Sequence, residues 1–227
     1  VQQDDVVRKF APNFIKKSPV DPCLYIYDDG GKEQALIAAH TYDYLIATNN
    51  PDWYERFFQY YVAIYPADRK DNVSSYCGIG IEHVGNKILF SQSGKIKAWI
   101  DSLKHYANLL PRGTPAKQSA YDLPLAAIKD GSIGYESLIG NALWFSRMTR
   151  PDITFATIFH AKFTASANQT HYESALDIPR YLVKTSDYKL QYEKSACTNG
   201  KFRIKIQTDS DWASDWTDRK SYQSFIV

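Results

Sequence analysis

The sequence predicts an α+β fold, and three observations carry that expectation. β-prone runs come in pairs around tight-turn residues in the first part of the chain. Apolar residues then recur at helical spacing through the middle. Near the C-terminus, Phe202, Ile204 and Ile206 alternate with Arg203, Lys205 and Gln207, the period-two pattern of a half-buried strand.

Residues 23–27 form a short β-prone run that ends at Asp28-Asp29-Gly30-Gly31, a strong turn signal. Residues 35–39 and 44–48 are two apolar runs on either side of Thr41-Tyr42-Asp43, which predicts strand, tight turn, strand. Asn50 followed by Pro51 reads as a helix N-cap and first helical residue. Trp53, Phe57, Tyr60 or Tyr61, and Ile64 would line one face of that helix. A second hairpin is expected over residues 79–82 and 87–91, turning at Gly85-Asn86. Ile96, Trp99 or Ile100, and Leu103 then mark a helix in which Lys95, Lys97 and Lys104 are interleaved. Residues 111–124, rich in Pro, Gly, Ser and Lys, make the best linker, and further helices are expected over 135–145, 153–163 and 171–182. The last of these contains Pro179. An interior proline removes a hydrogen bond and costs ~3 kcal/mol or more, so a kink or break is expected near Ile178. The final strand runs to Asp209.

Composition narrows the functional classes. The 227 residues are 44% hydrophobic, enough to bury a core in one large or two small domains. With 27 Lys+Arg against 25 Asp+Glu, the formal charge is +2, so nucleic-acid binding would require local clustering of basic residues. No run approaches the ~18 apolar residues of a membrane span, and no signal peptide opens the sequence. Cys23, Cys77 and Cys197 are odd in number and widely spaced. They suit a reducing compartment, hence an intracellular, cytoplasmic or nuclear, location. There is no Gly-rich phosphate loop, paired-cysteine zinc spacing or Gly-x-Ser-x-Gly turn.

Seven segments share the order and spacing of one family. They are Ser18-Pro19-Val20-Asp21-Pro22-Cys23-Leu24-Tyr25-Ile26; His40-Thr41-Tyr42-Asp43 followed by Leu45-Ile46-Ala47; and Ile79-Gly80-Ile81-Glu82 leading to Leu89-Phe90-Ser91-Gln92. Tyr135-Glu136-Ser137-Leu138-Ile139-Gly140 and Thr149-Arg150-Pro151-Asp152-Ile153 follow. Arg180-Tyr181-Leu182 with Thr185 and Asp187-Tyr188, then Thr208-Asp209-Ser210-Asp211-Trp212-Ala213, complete the set. From about Phe14 to Val227 the chain resembles the reverse transcriptase region of copia-type long-terminal-repeat retrotransposon polyproteins. That resemblance implies a partial polymerase palm with a motif-C-like and a primer-grip-like hairpin and the first thumb helix in residues 1–110. It implies a linker at 111–124, thumb and connection helices over 125–195, and a truncated ribonuclease H-like hairpin over 196–227. It further implies that the sequence begins inside the palm and ends inside ribonuclease H.

The family's palm holds two Mg²⁺ ions ~3.5–4 Å apart on adjacent aspartates joined by a third. Here the matching box carries one, Asp43, because Tyr42 stands at the other position. Tyrosine, with a reference pKa near 10, is neutral at physiological pH and is no substitute for a carboxylate. Asp43 is therefore the remnant metal ligand, and Asp209 matches the first ribonuclease H aspartate. A solvated turn residue and a charged strand end beside Asp211 are the competing readings of these two. His40 is a second candidate ligand beside Asp43. Tyr42 and Tyr44 could stack on bases, or simply pack. Lys95, Lys97, Lys104, Arg147 and Arg150 could contact phosphates as a thumb does, or form a solvated helix face. Mg²⁺ is the family's cofactor, and stable binding is not expected here. The expected function is template-primer binding without polymerisation. The alternatives are a non-enzymatic protein-interaction module, joining a polymerase subunit or a second copy, or a decayed element remnant.

Overall fold

The computed structural model describes residues 2–104, 108–117, 119–120, 123, 134–193, 197–198, 201–202, 205–213 and 219–226. It is a mixed α and β fold whose strands pair in antiparallel fashion, and it divides into two compact units, Val1–Cys77 and Gly78–Val227.

The first unit is a four-stranded sheet backed by two helices. The sheet contains β1 (Ile15–Lys17), β2 (Leu24–Asp28), β3 (Gln34–His40) and β4 (Asp43–Thr48) in sequential order, so β1 and β4 are its edges. Local chemistry sets each turn. Between β2 and β3, Gly30 and Gly31 take φ of 97° and 121°, values that glycine adopts without steric cost. The Asp28 and Asp29 carboxylates accept backbone N–H bonds there, from Gly30 and from Lys32 and Glu33 respectively. β3 and β4 are joined by Thr41 and Tyr42 alone, with Thr41 at φ 54° and His40 paired with Asp43. The period of two then separates the faces. Tyr25, Tyr27, Ala35 and Ile37 are buried, whereas Ile26 and Leu36, paired across the strands, face outward.

Helix α2 (Pro51–Val62) begins as its sequence predicts, with the Asn50 side chain accepting from the Asp52 and Trp53 N–H groups and Pro51 in the first turn. Trp53, Phe57 and Tyr61 face inward; Trp53 and Phe57 stack with ring centres 5.4 Å apart. Phe10 of α1 (Gln2–Phe10) meets both rings edge-on. Each large side chain so buried contributes roughly 1.5–3 kcal/mol. The expected face extends one turn too far: Ile64 lies beyond the helix and is 46% exposed. β5 (Ser75–Tyr76) closes this unit's sequence, and the Tyr76 hydroxyl donates to the Ala38 carbonyl at 3.3 Å.

The second unit opens with β6 (Ile79–Val84) and β7 (Lys87–Ser91), a hairpin turning at Gly85 with φ 59°. β8 (Leu190–Glu193) pairs antiparallel with β7. Helices α3 (Ser93–Leu103), α4 (Tyr135–Met148), α5 (Thr154–Ala161), α6 (Gln169–Ala175) and α7 (Asp177–Thr185) supply its core. Ile96, Trp99 and Ile100 of α3 pack in one cluster with Leu138, Ile139 and Phe145 of α4, Phe159 of α5 and Leu182 of α7. Gly78 has φ 78°, and a Cβ there would lie 3.1 Å from the Trp144 ring.

The break expected near Ile178 is present, and its position has a physical reason. α6 ends at Ala175 and α7 starts at Asp177, which makes Pro179 the third residue of the new helix. A helix's first N–H groups have no internal acceptor, so the missing proline donor is lost from a place where none is used. The ladder resumes at once, with the Arg180 N–H donating to Leu176 O at 3.1 Å.

The C-terminal strand differs from its expectation. Lys201–Phe202 (β10) pairs with Cys197–Thr198 (β9), and Gln207–Ser210 (β11) pairs with Gln223–Ile226 (β12). Residues 203 and 204 lie outside the described residues. Ile206, placed on the buried face by alternation, is 60% exposed, and β11 is exposed at every position. A two-stranded ribbon has no second layer to bury one face, so alternation here does not translate into burial.

Candidate nucleic-acid interface

The β3–β4 turn presents Tyr42 and Asp43 to solvent, Tyr42 being 81% exposed. Both residues line a groove of about 1070 Å³ within the first unit. The free edge of β4 forms one wall, α2 a second, and the stretch from Tyr65 to Cys77 the third. Its surface is rich in rings. Tyr44 meets Tyr61 edge-on at 5.3 Å, and Tyr54 and Phe58 stack at 6.3 Å. The Arg69 guanidinium lies over both of the latter, 5.4 and 5.7 Å from their centres. It pairs with Glu55 at 2.5 Å and Asp71 at 3.1 Å. Hydrogen bonds from Gln59 and Arg69 hold the Glu55 carboxyl below its usual pKa. Tyr76 is pushed up to about 12, first by burial and then by the neighbouring Cys77, Asp43 and Cys23 groups. It is therefore a neutral hydroxyl at physiological pH.

The donor set at the turn is thin for a metal. Asp43 supplies a single carboxylate, Tyr42 a phenol and His40 an imidazole. Among the described residues, no group of three or more His, Cys, Asp or Glu side chains converges. Such a set does not fit a pair of Mg²⁺ ions, which needs several hard oxygen ligands. Asp209 lies on β11, exposed and opposite Ser224. Its neighbour Asp211 is occupied in the hairpin, where the carboxylate accepts the Tyr222 N–H at 2.8 Å.

The basic candidates separate into distinct environments. On α3 and its C-cap residue, Lys97 and Lys104 fall within about 20° of one another and Lys95 on the opposite side, at ~100° per residue. Lys97 pairs with Asp187 at 2.8 Å and Lys104 with Asp101 at 2.7 Å, all exposed, so both ion pairs are readily exchanged. Lys95 and Arg147 are exposed, and neither has an ion-pair partner among the described residues. Lys95 and Trp144 both approach Gly78, and Arg147 follows Trp144 by nearly one helical turn.

Arg150 belongs to the interior. It is 1% exposed; its Nε and Nη2 donate to the two Asp152 oxygens at 2.9 and 2.7 Å. Nη1 donates to the Thr185 carbonyl at 2.8 Å and Nη2 to the Thr185 hydroxyl at 2.6 Å. Tyr181 and Tyr188 rings flank the guanidinium. The Tyr181 hydroxyl also donates to Asp152, and Thr149 donates to the buried Gln92. The Thr-Arg-Pro-Asp segment thus ties the end of α4 to α7 and to the residue preceding α3. Its guanidinium has no face left for a phosphate.

Tyr54, Phe58, Arg69 and Lys70 of the groove belong to none of the motifs in the sequence. The i, i+4 spacing of Tyr54 and Phe58 was the available signal, since it places both on one side of α2.

No family model and no solved structure matches the chain. Similar curated proteins include the secreted RxLR effector protein 161 of Plasmopara viticola, 26% identical over 42% of this chain and 64% of that protein. A putative transposon Ty5-1 protein of Saccharomyces cerevisiae is 25% identical over 70% of this chain and 52% of its own length. The retrovirus-related Pol polyprotein from transposon RE1 of Arabidopsis thaliana is 23% identical over 91% of this chain and 14% of the polyprotein. The matched segment therefore spans about two thirds or less of each relative's length. The chain is similar to transposon Pol polyproteins over most of its length, at low identity. No helix among the described residues is long and apolar enough to cross a membrane.

Proposed function

We propose that this chain is a reverse-transcriptase-derived segment of a retrotransposon polyprotein that binds template and primer without polymerising. The observation that carries the proposal is the β3–β4 turn, where one carboxylate, Asp43, stands beside an exposed Tyr42 above an aromatic groove. Phosphoryl transfer is catalysed by positioning and by metal-borne charge, and a lone carboxylate supplies little of either. Binding needs less. Rings stack on bases without regard to sequence, and exposed cations release counterions from phosphates. Tyr42, Tyr54 and Phe58 provide the first in one unit; Lys95 and Arg147 provide the second in the other, with Lys97 and Lys104 available once their surface ion pairs exchange.

The test is primer extension on a primed RNA with Mg²⁺, run beside binding of the same duplex. Binding without extension is expected; nucleotide incorporation would contradict the proposal directly.

One observation favours a second reading, a protein-interaction module. β4 is an edge strand, and its unpaired backbone beside this ring-lined groove can accept an extended segment from another polypeptide. Such an association would be far less sensitive to salt than nucleic-acid binding.

A further inference from the structure

A separate cavity of about 680 Å³ in the helical unit is lined by Asn108, Arg112, Lys117, Ser119 and Leu123, by α6 and by the first turn of α7. Asp177, 2% exposed, is its most enclosed charge; Oδ1 pairs with Arg112 Nε at 2.9 Å and with Arg180 Nη1 at 3.0 Å. Arg180 is fixed in place. Its Nε donates to the Asn108 carbonyl at 3.3 Å, and its own carbonyl accepts the Arg112 N–H at 3.1 Å. Arg112 is less committed: its two Nη groups have no hydrogen-bond partner among the described residues.

Two guanidiniums around one carboxylate leave a net positive charge at this point. Lys117, exposed on the same wall, adds another. Glu173 opposes them from the rim, but its carboxylate is exposed and 3.9 Å from Arg180, where solvent screens it. Ser119, Thr170 and Ser174, each carrying a hydroxyl, also line the space. A free guanidinium fork, an ammonium and hydroxyl donors together suit a tetrahedral oxyanion bound through several charge-assisted hydrogen bonds.

We propose that this cavity binds a phosphoryl group, either free phosphate or the terminal phosphate of a nucleic-acid strand. The inference does not depend on the template-primer reading, because it involves none of the residues invoked there.

Titration of the full chain with inorganic phosphate, followed by calorimetry, tests it. Saturable binding is expected, weakened about tenfold by Arg112→Gln and by Lys117→Gln, the loss of one charge-assisted contact each. Lys117 is exposed, so its substitution leaves folding intact even where Arg112→Gln lowers the thermal midpoint. A short single strand with a 5′-phosphate or a 5′-hydroxyl separates the two sources. Preference for the phosphorylated strand, abolished by the same substitutions, assigns the strand end; phosphate binding without that preference assigns the free anion. Binding of neither probe, or binding that survives both substitutions, overturns the proposal.

Discussion

Arg150 donates to both oxygens of Asp152 and to two atoms of Thr185 from a fully buried position. Removing one member of such a network strands the other, so Arg150→Ala should destabilise the chain by about 3 kcal/mol or more. Arg150→Lys should recover little, because an ammonium cannot make the planar two-point contact. Urea unfolding midpoints measure both, and a loss below about 1 kcal/mol would contradict the assignment. His160 sets a second expectation. It is fully buried, both ring nitrogens lack hydrogen-bond partners among the described residues, and burial with the nearby His171 lowers its pKa to about 4, against a smaller opposing effect of Asp177. A lowered pKa means that the folded state prefers the neutral ring. Its contribution is complete above the unfolded value near 6.5 and is lost as pH falls from there toward 4, by up to about 3 kcal/mol. His160→Leu should flatten the stability profile over that window; an unchanged slope would refute the assignment. The Thr-Arg-Pro-Asp segment was recognisable in the sequence. Its interior role was not, since a lone arginine on a helix end reads identically whether its carboxylate partner is two residues away or its phosphate partner is another molecule.

At the scale of elements, α7 gives the clearest test. With Pro179 in the first turn, Pro179→Ala should change stability by less than about 1 kcal/mol, rather than the ~3 kcal/mol that relief of a helix-interior proline would give. Thermal melts of the two proteins decide between them. The β3–β4 and β6–β7 hairpins, the Asn50 cap and the α6–α7 break were legible because turn residues, caps and prolines act locally. Over residues 202–209 the expected burial fails at Ile206 because alternation predicts burial only where a second layer exists to cover the face. The place of Arg69 in the groove is hidden for a related reason: it meets Tyr54 and Phe58 through a loop return that no periodicity encodes.

For the whole molecule, the two units carry different parts of the proposed function, rings beside Asp43 in one and free cations on α3 and α4 in the other. The near-neutral total charge means that any affinity for nucleic acid must come from those local groups. Each phosphate neutralised by a cation contributes about −0.9 to the slope of log affinity against log salt on a duplex. The measurement that bears most directly on the central claim is fluorescence anisotropy of a labelled RNA–DNA primer-template across a salt series, for the natural chain and for a Lys95→Gln, Arg147→Gln double variant. The account predicts binding with a steep negative slope, made shallower by about 2 in the variant. Absence of binding at low salt, or a slope that the double substitution leaves unchanged, would contradict it.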